Sequence, residues 1–291
     1  MKKTVLILIS ILVAVYIALT LFSVDNEYVA EKMLYRAAKT NEKITANPDV
    51  VPPSMRDFVE KSLQKILEKY PETDAAKATR FALAEFYIYN KKYDKALPVL
   101  DTIISAKDAD KMTLSRAYFV KGNVYERQNQ WDKALAEYAI LRDKYNDTPL
   151  GMQIPIYIGN YYIGKGDDER ADRAFREAAA FYDKIARENK GKVMGYTALS
   201  LMRDIYIKSK EYRRAGNVIE EILEDYKAEI AMIQQLPYVE LVFEKSLKEP
   251  EKALEIYKFV RDNTKNDNLK KLLDKKIDDM SKKETEDGKK R

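Results

Sequence analysis

The sequence contains no cysteine and no histidine. Without cysteine there is no disulfide, no thiolate nucleophile, no iron–sulfur cluster, no cysteine zinc site and no lipid-accepting N-terminal cysteine. Without histidine there is no Ser-His-Asp triad, no imidazole metal ligand and no ordinary switch near neutral pH. Glycine and proline are sparse, nine of each in 291 residues. So few turn residues favour long helices with short connections. Tryptophan occurs once, against 21 tyrosines, a residue that packs its ring and keeps its hydroxyl near water. Neither sign of charge dominates: 52 basic residues face 47 acidic ones, leaving a net charge of +5. The signs are interspersed, so they read as solvated helix faces, and no basic block suggests a nucleic-acid partner.

One long apolar run is present. Lys2 and Lys3 precede 21 residues, Thr4 to Val24, without Gly, Pro or charge. A helix of that length spans roughly 30 Å at about 1.5 Å per residue. It exceeds the usual signal-peptide core of about 7–15 residues. The reading is a transmembrane signal anchor over residues 1–24. Cleavage near Ala18-Leu19-Thr20 is the alternative. The positive-inside rule then leaves the lysines cytoplasmic and the rest of the chain in the periplasm or cell exterior. No helix breaker occurs before Asn47. The membrane helix can therefore extend as a stalk to about Thr45, or a separate amphipathic helix can pack on the first repeat. Pro48, Pro52 and Pro53 then mark a loop.

Internal similarity is the strongest signal. Tyr93-Asp94-Lys95-Ala96-Leu97 matches Trp131-Asp132-Lys133-Ala134-Leu135, 38 residues on. Ahead of these stand a small residue and an aromatic, Ala84 and Tyr87, then Gly122 and Tyr125. Leu100 and Ile103 follow the first, Tyr138 and Leu141 the second. Gly159, Tyr162, Ala171, Phe175 and Ala178 form a third unit. Tyr206, Tyr212, Ala215, Ile219 and Ile222 form a fourth. Ala253, Ile256 or Tyr257 and Val260 form the second half of a fifth, whose first helix is placed at about Ile233–Leu247. Upstream, Val59, Leu63 and Ile66 before Pro71 look like the second helix of an earlier unit.

These residues resemble the tetratricopeptide-repeat family over about residues 57–263. The resemblance implies an all-α fold of helical hairpins in which small residues allow close approach and large ones fill the groove between hairpins. Unit spacing of 37–44 residues departs from the family's 34. Lys69-Tyr70-Pro71-Glu72-Thr73-Asp74, echoed by Lys144 to Pro149, is similar to bacterial envelope repeat proteins such as outer-membrane assembly and Tol-Pal-associated repeat proteins. Residues 25–56 are then a helical stalk and Pro-rich loop. Residues 264–291 are a polar capping helix, to about Met280, and a disordered tail.

No catalytic constellation emerges. Asp167-Asp168-Glu169 sits where a turn and a helix start belong, and acids favour that end of a helix. Gly164-Lys165-Gly166 lacks the spacing of a phosphate loop. The resemblance points instead to a groove lined by the first helix of each hairpin. Carried over, its positions are Ala78, Phe81, Glu85, Ile88 and Tyr89, then Arg116, Phe119, Asn123, Glu126 and Arg127, then Gln153, Ile156, Asn160 and Ile163. The candidate partner-binding set is Phe81, Glu85, Tyr89, Arg116, Phe119, Asn123, Arg127 and Asn160. Aromatics supply anchors, Arg pairs with carboxylates, and Asn amides hold backbone.

The sequence thus reads as an all-α, tetratricopeptide-like helical-hairpin solenoid preceded by an N-terminal transmembrane helix. Its function reads as a membrane-anchored, non-enzymatic scaffold holding a protein or peptide of an envelope complex, with no cofactor. A self-assembling homo-oligomeric repeat protein and a carboxylate-based enzyme acting on cell-wall glycans are the alternatives.

Overall fold

A computed structural model describes residues 12–13 and 25–288 of the chain. Among the described residues every element beyond Asp25 is a helix. We number them α1 Asn26–Ala46, α2 Pro53–Lys69, α3 Asp74–Tyr89, α4 Tyr93–Ile104, α5 Lys111–Arg127, α6 Trp131–Lys144, α7 Pro149–Gly164, α8 Asp168–Glu188, α9 Val193–Lys208, α10 Tyr212–Asp225, α11 Glu229–Val239, α12 Pro250–Asn263 and α13 Asp267–Gly288. A π-helical stretch, Glu240–Leu247, continues α11. The chain divides into two compact units, Met1–Leu150 and Gly151–Arg291.

The transmembrane helix expected ahead of the array is corrected here. Among the described residues no helix is long and apolar enough to cross a membrane. The span expected over residues 4–24 lies, apart from 12–13, outside the described residues. Among the described residues the fold is an all-α helical-repeat fold, and none of their helices supports the single-pass inner-membrane location. Of the two readings of this stretch, the rod continuing from residues 4–24 lies largely outside the described residues; α1 itself opens at its own cap, where the Asp25 carboxylate accepts the Glu27 N–H at 2.9 Å. Glu31, Lys32, Arg36, Lys39, Glu42 and Lys43 are exposed along α1. Ala30, Ala37 and Ile44, seven apart, are fully buried. They pack with Leu63, Ile66, Ala76 and Leu83, so α1 is the first helix of a hairpin whose second helix is α2. Glu27 also reaches across to α3, where its two carboxylate oxygens accept the N–H groups of Asp74 and Ala75, each at 2.8 Å. A carboxylate at a helix N-terminus satisfies orphan donors and complements the macrodipole.

Five further hairpins share one turn. A residue with positive φ stands in each: Lys91, Asn129, Gly166, Lys210 and Lys248. This conformation costs a non-glycine residue roughly 1–2 kcal/mol. The helix-ending hydrogen bonds offset it. Lys92 N–H donates to Tyr87 O at 2.8 Å, Gln130 N–H to Tyr125 O at 2.9 Å, Asp167 N–H to Tyr162 O at 3.0 Å and Glu211 N–H to Tyr206 O at 2.7 Å. Five residues past each turn residue comes an alanine, Ala96, Ala134, Ala171, Ala215 or Ala253, and every one is fully buried. Four past it, a basic side chain lies over the tyrosine four before it: Lys95 over Tyr87 at 5.6 Å, Lys133 over Tyr125 at 5.6 Å, Arg170 over Tyr162 at 5.0 Å and Arg214 over Tyr206 at 5.7 Å. Each such contact contributes about 0.5–1 kcal/mol at a partly exposed site.

Seven before the turn residue and nine after it, two positions face each other. In the first unit these are Ala84 with Leu100 and Gly122 with Tyr138. In the second they are Gly159 with Phe175. A Cβ on Gly122 would stand within 2.9 Å of three Tyr138 ring atoms, and one on Gly159 within 2.8 Å of three Phe175 ring atoms. Small and large residues therefore trade volume across the hairpin.

Within the second unit, α8 has 21 residues where α6 and α10 have 14. Its buried stripe runs from Ala171 through Phe175, Ala178 and Tyr182 to Ala186. Two added turns lengthen the step from Gly166 to Lys210. The last hairpin opens earlier than the sequence suggested. Helix α11 starts at Glu229, so Pro237 lies in its interior and not in its opening turns. The π stretch adds a residue, and Glu249 N–H reaches back to Phe243 O at 2.8 Å, one position further than its counterparts. Helix α13 continues to Gly288 and packs Leu273, Ile277 and Met280 on α12 residues Tyr257 and Val260. Its N-terminus is capped by Asn266, whose Oδ1 accepts Asn268 N–H at 3.0 Å and Leu269 N–H at 3.1 Å, and Glu229 of α11 holds the preceding loop by accepting from Lys265 N–H at 2.9 Å and Asn266 N–H at 3.1 Å.

Candidate partner-binding face

The packed stripe of each first helix decides what its other side presents. Helix α3 buries Ala75, Ala76, Thr79, Leu83, Ala84, Phe86 and Tyr87. Ala78, Glu85 and Tyr89 are exposed, and Phe81 and Ile88 half-buried. Helix α5 buries Ser115, Ala117, Gly122 and Val124. Arg116 and Arg127 are exposed, with Phe119, Asn123 and Glu126 half-buried. Threonine and aspartate caps fix where these helices begin. Thr73 Oγ1 accepts Ala76 N–H at 3.1 Å, and Asp110 accepts Thr113 N–H at 2.7 Å.

Three of the sequence-derived residues form one contact group. Arg116 Nη2 donates to Glu85 Oε1 at 2.6 Å. Its guanidinium carbon also lies 4.3 Å from the centre of the Phe81 ring. The group joins α3 to α5 by an ion pair exposed on both sides, which contributes little to stability. Two others are tied into the fold. Asn123 Nδ2 donates to Phe119 O at 2.9 Å and to the Tyr138 hydroxyl at 3.2 Å. Tyr138 donates in turn to Glu126 Oε2 at 3.1 Å. The Asn123 amide nitrogen is thus engaged within the hairpin, and the Phe119 ring packs 6.1 Å from that of Tyr138. Tyr89 is 43% exposed, and Arg127 has no ion pair among the described residues. Asn160 belongs to the second unit, where its Oδ1 accepts from Lys208 Nζ. Lys208 also lies 5.5 Å from the Phe175 ring centre.

Sequence reasoning missed a buried polar network in the second unit. Arg203 is 4% exposed and stands where Ala84, Gly122 and Gly159 stand in their hairpins. Its guanidinium lies 3.4 Å from the centre of the Tyr238 ring, and Nη1 donates to Gln235 Oε1 at 2.7 Å. Nη2 pairs with Asp204 at 2.8 Å. Gln235 is fully buried and donates to Ala231 O at 3.3 Å. The signal was a large cation at the register of a small residue, three before Tyr206. Asp167 serves as a helix cap, accepting the N–H of Arg170 at 3.0 Å. Among the described residues no group of three or more carboxylates could hold a metal ion.

No protein-family model matches the chain, and no curated protein matches it. Solved structures do. The crystal structure of BtubC (BKLC) from P. vanneervenii is similar at 12% identity and a TM-score of 0.33, over 88% of this chain and 92% of that one. A tetratricopeptide repeat protein from Parabacteroides merdae is similar at 16% identity and a TM-score of 0.37, over 84% and 97%. Likeness at these scores carries no argument about function. The turn and the buried alanine shared by five hairpins, with the small–large exchange in three of them, define an all-α helical-repeat fold.

Proposed function

We propose that the chain is a non-enzymatic protein-interaction scaffold that holds a protein or peptide partner on the open side of its first helices. The observation that supports this reading is the surface of α3 and α5. There, the rings of Phe81 and Phe119 are half-buried, Glu85, Tyr89, Arg116 and Arg127 are exposed, and Arg116 lies against both Phe81 and Glu85. Aromatic and Arg side chains on a rigid face are the groups that dominate protein–protein affinity. Binding by such a face needs no cofactor.

The test is capture of partners from cell extract by the wild-type chain and by Arg127→Glu. Arg127 is exposed and makes no ion pair among the described residues, so the variant should fold normally. Recovery of a specific partner should fall at least about tenfold, the effect of losing one contact worth about 1.4 kcal/mol. Equal recovery removes Arg127 from the face. Equal recovery with Tyr89→Ala as well overturns the reading.

A further inference from the structure

A cavity of about 280 Å³ opens between α3, the end of α4 and the start of α5. Its floor is apolar, formed by Phe81, Ile103, Ala106 and Ala109. Its rim is charged, with Lys77, Arg80 and Arg116 against Asp108 and Asp110. The charges are not equally available. Asp110 turns inward to cap its own helix, accepting from Thr113 N–H at 2.7 Å and Thr113 Oγ1 at 3.2 Å. Asp108 pairs with Lys77 at 3.3 Å, and that hydrogen bond, with its own backbone bond, holds the Asp108 carboxyl below the usual range. Arg116 is held by Glu85. Arg80 alone among the three cations makes no ion pair within 4 Å among the described residues, and only the more distant Asp108 carboxylate, already paired with Lys77, feels its charge. The volume falls just below the roughly 300–1,000 Å³ of ligand pockets, and so suits one side chain better than a cofactor.

We infer that this cavity is a specificity pocket that takes an apolar side chain of a partner segment, with an adjacent carboxylate of that segment pairing with Arg80. The inference rests on the scaffold reading and adds the chemistry of the partner: an aromatic or aliphatic residue next to Asp, Glu or a terminal carboxylate. An Arg–carboxylate pair fixes orientation, and the ring is buried on Ile103, Ala106 and Ala109. The opposite charge pattern, an apolar residue beside Lys or Arg, would face Arg80 and be rejected.

The experiment uses 3-phenylpropionate, with the neutral 3-phenylpropanol as control, on full-length protein labelled at Ile and Ala methyls. Saturable shifts of the Ile103, Ala106 and Ala109 methyls are expected with phenylpropionate at millimolar concentration. About tenfold weaker binding is expected for the alcohol, and for phenylpropionate with Arg80→Gln. Arg80 is half-buried at the rim, and unchanged signals from Ile219 and Ile222 in the second unit report an intact fold. Filling the floor by Ala109→Phe should abolish the shifts. Absence of shifts in the wild type, or equal affinity for acid and alcohol, overturns the inference. If Arg127→Glu still impairs partner capture in that case, the scaffold reading stands without this pocket.

Discussion

The ring of Tyr138 occupies the space that a side chain on Gly122 would need. Tyr138 is fully buried and its hydroxyl bonds to Asn123 and Glu126, so the ring cannot swing aside. Gly122→Ala should therefore destabilise by about 1–3 kcal/mol through overpacking. The preceding hairpin solves the same position with Ala84 and Leu100. Combining Gly122→Ala with Tyr138→Leu should cost less than the two single changes added together, with a coupling of at least about 1 kcal/mol. Chemical denaturation of the four proteins measures it, and strict additivity would show that the pair does not exchange volume.

Glu27 is the latch between α1 and the next hairpin. It supplies both oxygens to the first N–H groups of α3. Glu27→Ala should leave those donors to water and cost about 1–2 kcal/mol, as loss of a charged cap does. The loss should be local. Amide exchange of α1 is expected to quicken while that of α6 stays unchanged. Uniform exchange across both helices would contradict the latch.

Glu60 lies between Lys92 at 2.8 Å and Lys95 at 3.0 Å, with its side chain 14% exposed. Burial alone would push its carboxyl up, but the hydrogen bonds and charges of the two lysines outweigh this and hold it below the usual range. Because the folded pKa is lower than the unfolded value of about 4.3, the stabilisation is present above that pH and is lost as pH falls through the folded value. Both lysines are about half exposed, so the gain is under about 1 kcal/mol. Glu60→Gln should lower Tm at pH 7, and the difference from wild type should narrow below about pH 4. A difference that widens on acidification would reverse the sign argued here.

Arg203→Met should cost about 3 kcal/mol, since it strands the buried Gln235 oxygen and removes the stack on Tyr238. Asp204 is 45% exposed on its side chain and can return to water. Adding Gln235→Leu should recover much of the loss, because two apolar partners leave no orphan group. Urea unfolding reads both variants, and a single variant as stable as wild type would mean the network contributes nothing.

The repeats were legible because their marks are local. Ala96 and Ala134, or Gly122 before Tyr138, recur at fixed offsets along one chain, and a helix face follows from spacing alone. The start of α11 was less legible. Spacing placed it near Ile233, yet the helix starts at Glu229, packs Met232 and Val239 into the core with Pro237 in its interior, and runs on into the π stretch. Of the candidate face, the positions Glu85, Tyr89, Arg116 and Arg127 came from the family resemblance, and all four are exposed. The stack of Arg116 on Phe81 and the engagement of Asn123 with Tyr138 could not be read from the sequence, since each joins residues on different helices.

The sequence by itself determined that the chain is helical, repeated and without thiol or imidazole chemistry, because these depend on composition and on spacing within a turn or two. Tertiary structure decided the rest. It made α1 the first helix of a hairpin, because Ala30, Ala37 and Ile44 find partners only once α2 and α3 pack beside them. It also placed a buried Arg203 where a small residue belongs, because only the fold brings Gln235 and Tyr238 within reach to satisfy a guanidinium out of water. Pairing across helices is a property of distance in space, and one-dimensional spacing carries no measure of it.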